Sequence, residues 1–236
     1  MKTRGDQSPM PESKRYQQLI GALLYLAVNT RPDISASVTI LSQYNKEPGT
    51  ADWNEAKRVA RYLHGTKGAE LRLGKRGGAP TLIGYADADY AETRLDRKSF
   101  SGYTFQYCGS TISWSCRKQS CVSQSSTEAE YIALAEATQE GIWIRRLLED
   151  FEERPQEKTV IYEDNQSYLK LLDHKRFNHR TKHIDTKYHF VKDIKEKQLM
   201  DYQYCPTAEM IADMLTKPLG KIKLRGFAEM SGMINF

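Results

Sequence analysis

Four acidic residues stand where acids are unexpected. Asp87 closes a mostly apolar run, Gly84-Tyr85-Ala86-Asp87-Ala88-Asp89, in a strand-like context that disfavours aspartate. Glu130 lies in the first turns of a helix-like stretch, Ser125-Ser126-Thr127-Glu128-Ala129-Glu130. Asp164 follows the short apolar run Val160-Ile161-Tyr162-Glu163, and Asp213 sits among apolar residues in Ile211-Ala212-Asp213-Met214-Leu215. Carboxylates gathered in one cleft repel and raise each other's pKa unless a cation holds them ionised. Hard oxygen donors suit Mg²⁺ or Mn²⁺. Two such ions about 3.5–4 Å apart activate a water and stabilise the leaving oxygen of a phosphodiester.

Each acid also has a plainer reading. Asp87 suits a cap of the following turn, with Asp89 then the acid that matters. Glu128 fits a capping box with Ser125, and Glu130 fits one with Thr127. Asp164 fits an N-cap, and Asp213 an exposed helix acid. Taken singly, those readings suffice. They leave unexplained why the four fall at a strand end, a helix start, a second strand end and a late helix, since strand ends are where open α/β sheets build sites.

The elements that must position them follow from pattern. Tyr16 to Asn29 reads as a buried helix and Thr30-Arg31-Pro32-Asp33 as a turn, because Pro32 restricts Arg31 and has no N–H. Ile34 to Tyr44 predicts a second helix. Trp53, Ala56, Val59, Ala60 and Leu63 recur at helical spacing up to Gly65. Gly74 to Pro80, with three glycines and a proline, marks a boundary. Beyond it come a strand (Thr81 to Tyr90), a hairpin turned at Gly109 (Ser99 to Cys108, Ser110 to Arg117) and a long helix (Ser125 to Phe151). Thr159 to Tyr162 is a strand, Gln166 to Asp173 and His183 to Lys197 are helices, and Leu199 to Tyr204 is the last strand. Ala208 to Thr216 is a helix stopped by Pro218. The order predicts an α/β domain. The chain so divides into a disordered lead-in (1–15), a helical segment (16–73), an α/β domain (80–218) and a tail (219–236).

Composition narrows the classes. The 236 residues carry 35 Lys+Arg against 30 Asp+Glu, a net charge of +5, too mild for a protamine-like protein. Between Asn165 and Met200 nine basic residues meet four acidic ones, so the whole excess sits in that stretch. Such a local excess suits either a polyanion-binding face or a solvated helix surface. Cys108, Cys116, Cys121 and Cys205 form no C-x-x-C pair, which reads as reduced thiols of an intracellular protein. The first residues show no signal-peptide core, and the longest apolar run, Leu19 to Val28, is half a membrane span, so no membrane partner is expected. His174, His179, His183 and His189 fall close together without the cysteines of a zinc finger.

These residues also carry a family likeness. The segment from about Thr81 to Pro218 resembles the ribonuclease H domain of copia-type LTR retrotransposon polyproteins. The carrying strings are Gly84 to Asp89, Asp96-Arg97-Lys98-Ser99, Ser125 to Leu134, Tyr162-Glu163-Asp164-Asn165, Arg180 to Phe190 and Ala212 to Pro218. Residues 16–73 look like the end of the reverse transcriptase that precedes it, through Tyr16 to Leu26, Thr30 to Ile34 and Ala56 to Leu63. The resemblance implies a ribonuclease H-like fold, a five-stranded mixed sheet flanked by helices. It implies four metal-binding catalytic acids, which by motif are Asp87 rather than Asp89, Glu130 rather than Glu128, Asp164 and Asp213. The cofactor implied is Mg²⁺, as two ions, with Mn²⁺ as substitute. The reaction implied is cleavage of the RNA strand of an RNA–DNA hybrid, in the cytoplasm or within virus-like particles, with nuclear access conceivable. The partners implied are that hybrid and the upstream reverse transcriptase domains.

Substrate contacts are assigned to Asn165, beside Asp164, for a 2′-OH or phosphate, and to Lys118 and Gln119 at a strand end. Arg180, Lys182 and His183, with Lys187, are assigned to the hybrid's backbone, where contacts position without reading sequence. A helix cap (Asn165) and a strand-end turn (Lys118-Gln119) are the plainer roles. The family's mobile histidine before the last helix has no counterpart in Cys205 to Met210, which implies slower turnover, and no Tyr-x-Asp-Asp polymerase motif is present, so polymerisation is not expected. The alternatives are a non-catalytic remnant that binds nucleic acid without cutting it, and a nuclease of the same fold that cuts DNA.

Overall fold

The structure is a computed structural model that describes residues 8, 13–74, 80–90, 96–153, 157–173 and 182–236. The alternating runs read from sequence become β2 (Leu82–Asp89), β3 (Phe100–Tyr107), β4 (Ser110–Lys118), β5 (Thr159–Glu163) and β6 (Met200–Tyr204), following a two-residue β1 (Glu70–Leu71). The five longer strands form one sheet in the order β4-β3-β2-β5-β6. β2 to β4 pair antiparallel, while β2, β5 and β6 run parallel. The fold class is therefore α/β with the five-stranded mixed sheet that the resemblance implied.

Period-two alternation gives β2 two buried faces. On one, Ala86, Phe105, Ile161 and Tyr202 pack under the long helix α4 (Ser126–Asp150). Two further helices, α5 (Gln166–Asp173) and α6 (Lys182–Glu196), lie beside α4. On the other face, Tyr85, Trp114 and Cys116 meet Met214 and Leu215 of a single-turn helix, α7 (Asp213–Thr216). Gly102 of β3 pairs with Asp87, and a Cβ there would stand 2.7 Å from the Thr216 methyl and 2.9 Å from Leu215 Cβ. A glycine at this position lets α7 lie directly against the sheet. The sequence pattern extended this helix back to Ala208; residues before Asp213 instead form turns after Pro206.

The helical segment comprises α1 (Ser13–Asn29), a 3₁₀ turn at Pro32–Ile34, α2 (Ser35–Ser42) and α3 (Thr50–Gly65). Its core is Tyr16, Ile20, Leu23, Val38, Leu41, Ala56 and Val59, with the Tyr16 hydroxyl donating to the Leu41 carbonyl at 2.8 Å. α3 starts after Gly49, whose N–H donates to Asp52 Oδ2 at 2.8 Å. The segment is not left without a partner: Trp114 Nε1 donates to the Ala27 carbonyl at 2.8 Å, and α2 packs against β4 and α7. Tyr25 and Val28 on α1 stay exposed, at 69% and 70%.

Residues 219–236, read as a tail, form α8 (Lys221–Met230) and β7 (Met233–Ile234). β7 pairs antiparallel with β1, and Phe227 is buried beside Ile211, Met214 and Leu215. The signal was present in Leu224, Phe227 and Ala228, an apolar stripe at helical spacing. Among the described residues no helix is long and apolar enough to cross a membrane.

Candidate metal centre

Strand direction assembles the site. β2 and β5 are parallel, with Tyr85 level with Tyr162. Two residues further along, Asp87 and Asp164 reach the same edge of the sheet. The Tyr85 and Tyr162 rings lie beneath them, 5.3 Å between centroids. α4 brings Glu130 over that edge. Its N-terminus is fixed by Ser125, whose hydroxyl accepts from the Glu128 N–H at 3.2 Å, while Glu128 Oε2 accepts from the Gln124 N–H. Glu128 is thus occupied by capping, and Glu130, half a turn on, faces the cleft.

Asp87, Glu130 and Asp164 each place a carboxylate oxygen within 4.8 Å of the others, a spacing suited to holding one cation. Asp87 and Glu130 are buried, and Glu130 Oε2 has no hydrogen-bond partner. Burial and the negative charges of Glu163, Asp87 and Asp164 push the Glu130 carboxyl well above the usual range. Burial pushes Asp87 up to about 6, opposed by Lys217. The Thr216 hydroxyl donates to Asp87 Oδ2, and the Thr207 hydroxyl to Asp164 Oδ2 at 2.8 Å. Three carboxylates, one with an orphaned buried oxygen, fit a hard divalent cation.

Asp213, at the start of α7, stands beside Asp87 but is held by lysines. Lys217 Nζ lies 2.6 Å from Asp213 Oδ1 and 3.8 Å from Asp87 Oδ2, and Lys223 Nζ of α8 lies 2.5 Å from Asp213 Oδ2. Sequence reasoning gave neither lysine a role. It also passed over Glu163, which is fully buried, accepts from the Asn165 N–H at 3.2 Å through Oε1, and leaves Oε2 unpartnered. Burial and the charges of Asp87 and Asp164 push this carboxyl well above the usual range. A glutamate ending an otherwise apolar strand was the available signal.

The assigned substrate residues fare unevenly. Gln119 is 2% exposed and committed to the fold: its amide donates to Ser101 Oγ and the Ala129 carbonyl, both at 2.9 Å, and its oxygen accepts from Ser123 at 2.7 Å. It ties the end of β4 to α4, which corrects its assignment to substrate. Lys118 is engaged by Asp96 at 2.8 Å and by Gln43 Oε1 at 2.6 Å. Asn165 precedes α5 and its carbonyl accepts from the Leu169 N–H. Arg180, His174 and His179 lie outside the described residues, and Lys182 and His183 are described as helix backbone only. Lys187 is half-exposed on α6, and Lys192 lies over the Tyr188 ring.

No family model matches the chain. It is 39% identical over 230 residues, 98% of its length, to the retrovirus-related Pol polyprotein from transposon TNT 1-94 of Nicotiana tabacum. The corresponding polyprotein from transposon RE2 of Arabidopsis thaliana is 38% identical over 225 residues, 95% of the chain. The match spans 17% and 15% of those relatives' own length. Among solved structures, LC11-RNase H1 in complex with an RNA/DNA hybrid is similar over 58% of this chain and 94% of that one, at 15% identity and a TM-score of 0.44.

Proposed function

Because the chain belongs to the retrovirus-related Pol polyproteins of copia-type retrotransposons, we propose that it is their ribonuclease H, a metal-dependent endonuclease cutting the RNA strand of an RNA–DNA hybrid. The observation that carries this reading is the gathering of Asp87, Glu130 and Asp164 at one sheet edge, with Glu130 Oε2 buried and unpartnered. Asp87, Glu130 and Asp164 would hold Mg²⁺ or Mn²⁺, with Asp213 as fourth acid. When bound, the metal supplies an activated water and charge stabilisation at the phosphate.

The chain's own residues do the rest. The Thr216 and Thr207 hydroxyls orient Asp87 and Asp164. Lys217, a third exposed at the cleft, offers an ammonium to phosphate oxygens at the Asp87–Asp213 edge. Asn165 is placed next to Asp164 for contact with a 2′-OH or phosphate, and Arg180, Lys182, His183 and Lys187 for the backbone of the hybrid.

The test is one assay. The chain is incubated with labelled hybrid, double-stranded DNA or double-stranded RNA, in Mg²⁺ or EDTA. Metal-dependent loss of the hybrid's RNA strand alone is expected. Binding without cleavage would instead identify a non-catalytic remnant, and cutting of DNA a different nuclease.

A further inference from the structure

Among the described residues, the acids close enough to share a cation are Asp87, Glu130 and Asp164, and Asp213 is not one of them. A lysine stands between Asp213 and that group. Lys217 Nζ lies 2.6 Å from Asp213 Oδ1 and 3.8 Å from Asp87 Oδ2. Asp213 Oδ2 is held separately, by Lys223 of α8. A second cation shared by Asp87 and Asp213 would therefore have to take the place of the Lys217 ammonium.

We infer that Lys217 supplies the second positive charge of this centre, so that it holds one divalent ion rather than the two that the resemblance implied. The inference rests on the nuclease reading above. Asp213 is then the counter-charge that positions Lys217, and not a metal ligand. Local structure fixes where this side chain starts. The Lys217 N–H donates to the Asp213 carbonyl at 3.3 Å, closing α7, and Thr216 before it is fully buried with its hydroxyl on Asp87. Charge fixes where it ends. Asp87 and Asp213 are both buried, so each depends on a close partner of opposite charge. Lys217 also borders a cavity of about 500 Å³, but that space is lined by Arg58, Lys221 and Arg225. Its one acid among the described residues, Asp33, is already paired with Arg31. An ammonium moving there would exchange two buried carboxylates for basic neighbours, so charge returns it to the acids. About a third of the Lys217 side chain is exposed, which leaves the ammonium open to a phosphate oxygen from the Asp87–Asp213 edge.

The test counts Mn²⁺ on the full chain by calorimetry and reads the paramagnetic resonance spectrum of the bound metal. Each measurement is made alone and with a hybrid whose RNA strand is 2′-O-methylated, so that it is not cut. The parent should hold one ion with a single-ion spectrum in both conditions. Lys217→Met should gain a second binding step, at least about tenfold tighter than any further step in the parent. Its spectrum should become that of a spin-coupled pair, as two ions about 3.5–4 Å apart give. Lys217→Arg should keep the parent's single ion. Lys221→Met should keep it too, because it removes a charge from the cavity rim without touching Asp87 or Asp213. A spin-coupled pair in the parent would overturn the inference while leaving the nuclease reading intact, and this result does not depend on any variant folding. A folded Lys217→Met that still holds one ion, or an equal gain in Lys221→Met, would overturn it as well. A parent that binds no Mn²⁺ would remove both.

Discussion

Two buried aspartates, Asp33 of the helical segment and Asp87 of the sheet, are provided for in opposite ways. Asp33 receives both Arg31 nitrogens, Nε at 2.9 Å and Nη2 at 2.7 Å, and the Tyr62 hydroxyl at 2.7 Å. Arg31 also donates to Thr66, at the end of α3. This is a closely paired network: a bidentate ion pair with two further bonds from the same guanidinium to Thr66. Beside Asp33 the guanidinium is held above its ordinary pKa, and burial with the Asp33 charge pushes the Tyr62 hydroxyl up. Asp87 has a hydroxyl donor and a lysine 3.8 Å away, but shares its edge with Glu130, Glu163 and Asp164. One region neutralises its buried charge internally. The other accumulates negative charge. The first pattern ties the turn between α1 and α2 to the end of α3, and the second leaves work for a ligand of opposite charge.

The largest effect that would break this contrast is on stability. Arg31→Met strands Asp33 in the helical core with only Tyr62 as donor. Loss of about 3–5 kcal/mol is expected, since one partner of a buried pair is removed. Thermal melting measures it, and Mn²⁺ binding by the folded variant should be unchanged. A variant as stable as the parent would make the Arg31–Asp33 pair dispensable and the contrast empty.

Next comes Glu130→Gln. The amide keeps the shape but not the charge, so cleavage of a hybrid should fall at least about a hundredfold, more than the loss typical of residues that only support a metal ligand. Its melting temperature in EDTA should equal or exceed the parent's, because Glu130 Oε2 has no partner to lose. A fall in stability on the scale of Arg31→Met would place Glu130 with the structural acids instead.

The contrast also shows what could be read from the residues in order. The edge at Asp87 and Asp164 was legible because acids interrupt apolar strands, and parallel strands bring such ends together. Arg31-Pro32-Asp33 looked like a turn, and a turn it is. The closure with Tyr62 and Thr66, about thirty residues away, has no local signature. Capping was ambiguous between the Ser125–Glu128 and Thr127–Glu130 pairs, because both satisfy the same spacing; only the helix start at Ser126 decides. Gln119 and Lys118 read as substrate contacts or a strand-end turn, and long-range partners bury Gln119 against Ser101 and Ala129 and engage Lys118 at Gln43. Lys223 lay beyond the proline that seemed to end the domain, so nothing local tied it to Asp213.

The smallest of these effects sharpens the comparison through pH. Burial pushes Asp87 to about 6, from an ordinary 3.8. The folded, metal-free protein therefore holds this proton more tightly than the unfolded chain does. The resulting stabilisation is fully present below pH 3.8 and is lost as pH rises through about 6. Glu130 and Glu163, both raised, push in the same direction. An ordinary paired carboxylate would do the opposite. In EDTA the parent should lose roughly 2 kcal/mol more than Asp87→Asn between pH 4.5 and 7.5, a difference of several degrees in melting temperature. The asparagine can still accept from Thr216, so the hydroxyl contact is kept. Adding Mg²⁺ at pH 7.5 should restore the parent and leave the variant nearly unmoved, since a bound cation stabilises only the state that holds it. If parent and variant instead follow one pH profile in EDTA, Asp87 carries no unpaid charge, and it belongs beside Asp33.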